Sequence, residues 1–131
     1  MVHRAIQKLS AGRLGWQILS MQVIELTTTG RRSGRAHTVQ LTTPLRHGDA
    51  YVLVASKGGD ANHPAWFLNL RDNPAVQARI GGGLRRPMRA RIASAEEHAS
   101  LWPGVVAKYR GYGDYQAKAG REIPLVLLEP A

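Results

Sequence analysis

Three arginines and two glycines crowd one short stretch, TTTGRRSGRAHTV, from Thr27 to Val39. Arg31, Arg32 and Arg35 offer guanidinium forks, which match the geometry of phosphate or carboxylate. GRRSGR has the wrong spacing for a G-x-x-x-x-G-K-[ST] loop, and a strand pattern follows it instead of a helix. No helix dipole therefore assists, and an anion here must be held by the forks and the turn amides. The competing reading is a solvated hairpin tip whose arginines keep a strand edge soluble. SKGG, Ser56 to Gly59, is a second basic glycine loop and follows an apolar run, so Ser56 and Lys57 emerge at the rim of the core. Gly58 and Gly59 allow backbone N–H groups to approach a ligand closely as an anion nest. The plainer alternative is a flexible loop with a lysine in it.

Trp66 and Asn69, three apart, share one face of a short helix, where an aromatic wall beside an amide suits a flat heterocycle or simply fills a core. His63 has no acidic residue or second histidine at ligand spacing, so it reads as a packed or capping histidine and not as a metal ligand. Tyr109, Tyr112 and Tyr115 repeat every three residues, but Gly111 and Gly113 argue against a rigid helix. They point to a mobile segment whose rings turn inward, over a ligand or into the core. LRRPMRAR, Leu84 to Arg91, reads as an exposed edge strand protected by charge. Nucleic-acid contact is the runner-up there, weakened because the aromatics lie elsewhere in the chain. There is no G-x-S-x-G, no usefully spaced carboxylate pair and no H-E-x-x-H. An enzyme built on this chain would rely on a bound cofactor for the reactive atom.

The elements that must position these residues follow from periodicity. Ile6, Leu9, Arg13 and Trp16 predict a helix from Val2 to about Met21. Alternation predicts strands over Gln22–Thr29 and around Val39–Thr42, then a hairpin turn at RHGDA (Arg46 to Ala50) and a buried strand from Tyr51 to Ser56. Pro64 opens the short helix, and the Asn73–Pro74 pair ends it. Strands over Val76–Ile80 and Met88–Ile92 flank the Gly81–Gly83 turn. Ser94 with Glu97 is a capping box for a helix through about Lys108, and EIPLVLLEP is a final strand. About six strands without strand–helix alternation predict an α+β, mainly β fold. It is a single antiparallel barrel domain over residues 1–131, with the helix as 1–21 and the barrel as 22–131.

Composition is compatible with a soluble domain: 131 residues, 44% apolar and 21% charged. Zero cysteines exclude disulfides and thiolate chemistry. No stretch approaches the ~18 consecutive apolar residues of a membrane span, and no secretory signal is read, so a cytoplasmic protein is expected. The net charge of +9 is uneven: residues 1–95 hold 14 Lys+Arg against 4 Asp+Glu, and the remainder holds 4 against 5. Such a surplus favours an acidic partner, whether nucleic acid, anionic lipid or a polyanionic small molecule.

Taken in order, GRRSG, SKGG, HPAWFLNL with NP after it, YRGYGDYQ and REIPLVLLEP resemble the deazaflavin-dependent nitroreductase family from about Leu26 to Pro130. The resemblance implies a split β-barrel related to flavin-binding reductases. It also implies coenzyme F420, an 8-hydroxy-5-deazaflavin with a phosphate and an oligoglutamate tail, with FMN as the alternative. Carried over by position, Arg31, Arg32 and Ser33 would take the phosphate or tail, with Lys57 helping. Ser56, Pro64, Ala65, Trp66 and Asn69 would line the ring, and Tyr109, Tyr112 and Tyr115 the acceptor pocket. His37 stands where the family more often carries arginine, so tail contacts there are expected to be weaker or pH-dependent. The implied reaction is hydride transfer to a quinone or nitroaromatic acceptor. Tyr112 is the preferred proton source, with Tyr115, Ser56 and solvent as the other candidates.

Two further classes stay in view, a barrel that holds F420 or lipid without turnover and a basic nucleic-acid module. The basic, apolar N-terminal helix could lie on the inner face of an anionic membrane. The alternative is that it packs on the barrel or on a partner subunit in a homodimer.

Overall fold

A computed structural model of the chain describes Gln17–Ile18 and residues 21–131. Eight antiparallel strands make one sheet: β1 (Gln17–Ile18), β2 (Met21–Thr29), β3 (Ala36–Thr43), β4 (Arg46–His47), β5 (Ala50–Val54), β6 (Ala75–Ile80), β7 (Arg86–Ile92) and β8 (Leu125–Pro130). β3 pairs along β2 from Gln22↔Thr43 to Thr29↔Ala36. The other edge of β2 is shared by β1 and β6, and the sheet continues through β7, β8 and β5 to β4. No ladder joins β3 to β5. Their gap is bridged near one end by a side chain, the Thr43 hydroxyl donating to the Val52 carbonyl at 2.8 Å. The barrel is split there.

The apolar pattern explains which strands lie deepest. β5 and β8 send alternate residues to two cores, so both read as unbroken apolar runs. Leu53, Ala55, Val126 and Leu128 face a core shared with Ile24, Leu26, Met88 and helix α1 (Ala65–Asp72), which adds Trp66, Phe67 and Leu70. Val52, Val54, Leu125 and Leu127 face the second core, covered by α2 (Ala95–Lys108) and α3 (Gly111–Ala119) through Leu101, Val105 and Tyr112.

Three expectations need correction. The helix expected to reach Met21 lies largely outside the described residues, and its last part is strand: Gln17 and Ile18 pair with Gln22 and Met21. LRRPMRAR is no edge, because β7 pairs with β6 on one side and β8 on the other. Its charge serves a junction. Arg91 makes a two-pronged bond to Glu97 at 2.7 and 3.0 Å and also reaches Glu129, tying β7 and β8 to the start of α2. The YRGYGDYQ segment is a helix, α3, despite its glycines. A Cβ on Gly111 would stand 2.5 Å from the Tyr109 ring, and one on Gly113 would stand 3.3 Å from Val106. Glycine costs about 1 kcal/mol in a helix, and here it permits close packing in return.

The capping box expected at Ser94 is present. The Ser94 hydroxyl accepts from Glu97 N, and the Glu97 carboxylate accepts from Ser94 N at 2.9 Å. Arg91, with the Ser94 amide, holds the Glu97 carboxyl down at about 2. A depressed carboxyl stabilises the fold fully above its ordinary range and loses that contribution as pH falls toward its native value. Ser94→Ala should therefore cost about 1 kcal/mol in urea denaturation at neutral pH. Glu97→Gln should flatten the loss of stability between about pH 4.5 and 2.

Candidate functional site

The arginine turn is shaped by its own backbone. Gly30 N donates to Arg35 O at 2.7 Å and Gly34 N to Gly30 O at 2.9 Å, with Gly34 in the left-handed region at φ 73°. A Cβ on Gly30 would lie 2.7 Å from both Ser33 Oγ and His37 Nε2, so a larger residue would displace these two side chains. The turn is anchored from outside by Asn69. Its Oδ1 accepts from Arg31 N at 3.1 Å and from Arg31 Nη1 at 2.9 Å, while its Nδ2 donates to Thr28 Oγ1 at 3.2 Å. Asn69 is buried, and every polar atom of its amide is used. Ser33 Oγ accepts from Arg35 N at 3.1 Å and lies 3.5 Å from His37 Nε2.

Between β5 and α1 the chain makes a 3₁₀ turn, Lys57–Gly59. Lys57 adopts φ 47°, a left-handed conformation rare for a residue with a side chain, and is the only non-glycine to do so among the described residues. Gly59 packs so closely on α3 that a Cβ there would come 3.0 Å from the Tyr115 backbone. Arg121, between α3 and β8, closes the loop. It donates to the carbonyls of Ala55, Ser56, Asp60 and Asn62 at 3.1–3.2 Å, and its Nη1 lies 3.1 Å from His63 Nδ1.

These elements frame two adjoining chambers. The larger, about 580 Å³, lies along the open edge of β3 and is lined by Met21, Gln40, Thr42, Val54, Gly58 and others. Ser56, Lys57, Pro64, Tyr109, Tyr112 and Tyr115 all face it. The smaller, about 380 Å³, is lined by Arg31, Arg32, Ser33, His37, Ala65 and Asn69. Val39 and Trp66 line both, so the chambers adjoin along these two side chains, and the cleft they make up is cationic in one chamber and tyrosine-lined in the other. Their volumes are those of ordinary small-molecule sites.

The three tyrosines pack edge to face with ring centroids 5.1–6.3 Å apart. Tyr112 Oη lies 3.1 Å from Thr42 Oγ1 and 3.9 Å from Met21 Sδ. Burial pushes the Tyr112 phenol up, against a smaller opposing pull from the Thr42 hydrogen bond. Its hydrogen bond to Tyr109 is the main cause that raises Tyr115. Both phenols are therefore protonated donors near neutral pH.

The cleft thus collects every site residue expected from the sequence, although two chambers divide them. Asn69 and Ala65 stand with the arginines rather than with Ser56 and Pro64. Arg35, on the same turn, lines neither chamber. Sequence reading missed Thr42, Gln40, Met21 and Arg121. Thr42 sat in an alternating strand with nothing to mark it. Arg121 opens REIPLVLLEP, a stretch that contributes to the family resemblance without any role for the arginine itself.

The fold is thus a split antiparallel barrel with a cationic chamber beside a tyrosine-lined one. Residues 1–130 match the F420H(2)-dependent quinone reductase family, and the chain belongs to that family. An F420H(2)-dependent quinone reductase of Mycobacterium tuberculosis (strain H37Rv) is 36% identical, over 97% of this chain and 87% of that protein. The solved structure of an F420-H2 dependent reductase, FDR-A, superposes with a TM-score of 0.70 at 38% identity, covering 82% of this chain and 93% of its own. A second, described as a domain-swapped dimer, gives a TM-score of 0.72 at 35% identity, with coverage of 98% and 96%.

His63 supplies a pH test of the loop. Burial, then the neighbouring Arg121 and Arg71 charges, lower it from its ordinary value of 6.5. A lowered histidine stabilises the fold fully above that ordinary value and progressively less as pH falls through the native one. The urea midpoint should therefore drop between pH 7.5 and 5, and His63→Gln should show a shallower drop across the same range.

Proposed function

We propose that this chain transfers a hydride from reduced coenzyme F420 to a quinone, with nitroaromatic compounds as alternative acceptors. The observation that carries the reading is the adjacency of the two chambers: Val39 and Trp66 line both the cationic and the tyrosine chamber. One elongated molecule can place an anionic tail at Arg31 and Arg32 and a flat ring beside Trp66 and the tyrosines. The donor set fits that coenzyme. Arg31, Arg32, Ser33 and His37 offer donors to phosphate and carboxylate, and Lys57 adds a cation beside Ser56. FMN has the same flat-ring-plus-phosphate form and is the alternative.

When bound, the reduced deazaflavin supplies a hydride from its C5 carbon. Pro64, Trp66 and Val39 form an apolar face that fixes the ring plane, while Ala65 and Asn69 shape the passage to the arginines. Tyr109, Tyr112 and Tyr115 cover the far side and exclude water, so an acceptor is pressed toward the ring. A quinone that accepts a hydride also needs one proton at oxygen to become the hydroquinone. Tyr112, held protonated by burial and oriented by Thr42, donates a hydrogen bond to that oxygen as charge develops on it. Tyr115 and Ser56, in the same chamber, are the other candidates for that role.

A cytoplasmic location, with contact to the inner membrane face through the basic N-terminal segment, belongs to the same proposal because it suits a lipid-soluble quinone. Among the described residues no helix is long and apolar enough to cross a membrane. Vesicle co-sedimentation of the full chain against one lacking residues 1–15 tests the contact, and equal partition removes it. Homodimer formation is tested by light scattering of the full chain.

Titration of the protein with oxidised F420, beside FMN, should show saturable binding of the deazaflavin. Lys57→Ala should weaken that binding about tenfold, the loss of one charged contact. Tyr112→Phe should slow quinone reduction about 10- to 100-fold with coenzyme affinity unchanged. Saturable binding of FMN alone would move the protein to another class of reductase.

A further inference from the structure

The two walls of the tyrosine chamber come from different parts of the chain. Ser56, Lys57 and Pro64 belong to the loop between β5 and α1; Tyr112 and Tyr115 belong to α3. Arg121 lines neither chamber, yet it touches both walls. Its side chain spends its donors on four backbone carbonyls from Ala55 to Asn62 and on His63 Nδ1. Its backbone is fastened to α3, since Gln116 Nε2 donates to Arg121 O at 2.6 Å and Gln116 Oε1 accepts from Ile123 N at 2.8 Å. Gln116 lies on the same helix as the tyrosines, one residue after Tyr115.

We infer that Arg121, seated by Gln116, is a positioning residue for hydride transfer: it fixes the Ser56–Lys57 wall at a set separation from the tyrosine wall. The inference rests on the coenzyme reading above. Three observations support it. The loop it grips contains Lys57 in a left-handed conformation, which the loop would leave if unsupported. Four of the five bonds run to backbone carbonyls, so they constrain the path of the chain itself. Five donors in a rigid planar fork suit this set of acceptors, whereas a lysine ammonium has three donors at a single point. Displacing a chamber wall by an ångström is enough to cost a large factor in a reaction that depends on donor–acceptor alignment.

The test compares wild type, Arg121→Lys and Gln116→Leu. Wild-type binding of oxidised F420 is measured first; without it the coenzyme reading fails, and the exchange measurement on coenzyme-free protein still judges the tie. Arg121→Lys should raise amide exchange across residues 57–63 at least tenfold in the coenzyme-free chain. It should also lower the single-turnover hydride-transfer rate at saturating coenzyme about 10- to 100-fold. Gln116→Leu, which keeps the guanidinium but loosens its seat, should show both effects at a few-fold size, and it decides the matter if Arg121→Lys does not fold. Unchanged exchange overturns the inference. So does a lowered melting temperature with the saturated rate intact, since that is what a purely structural arginine would give.

Discussion

One strand edge is left without a ladder, and the site is built along it. β3 has a full partner in β2, and among the described residues no second ladder runs along its other edge, where Thr43 bridges to β5. An open edge must be covered, or it invites pairing with another chain. Here the residues Val39 to Thr42 form the long wall of the cleft, and α3 leans over them with Tyr112 bonded to Thr42. Closing the barrel with a further ladder would remove the chamber. The gap in the sheet and the binding cleft are therefore the same feature.

At the other end of that strand the problem is charge. Arg31 and Arg32 must face one chamber on a short turn that no helix dipole supports. A buried amide solves the placement: Asn69 holds the turn through Arg31 and is itself held by Thr28 of β2. One face of Arg31 is thus committed to the fold, while Arg32 has no described protein partner and is exposed. The two neighbouring arginines share a sign but not a task.

Much of this could be read from the residues in order. Alternation in β2 and β3, the Gly48–Asp49 hairpin, the Ser94 capping box and the unbroken runs of β5 and β8 are local signals, and the structure carries them. The errors have a common cause, which is that tertiary contacts changed what a residue type signified. Gly111 and Gly113 are helix-breaking by propensity, but they permit contact with Tyr109 and Val106. The arginines of β7 suggested a protected edge, whereas Arg91 is paired across three elements. Arg121 carried no signal at all, because its partners are main-chain carbonyls and any residue supplies those. For the candidate site, the structure brings the expected residues to two adjoining chambers, and their division between the two depends on how α1 docks.

The left-handed Lys57 sets the stability of this barrel against its use. Asparagine or glycine would occupy that backbone conformation with less strain, releasing on the order of 1 kcal/mol. Either change would also delete a cation from the chamber wall. Selection for heat resistance alone would thus drift toward a sturdier chain with one cation fewer on the chamber wall. Position 57 is where the cost of keeping the site is paid in folding free energy.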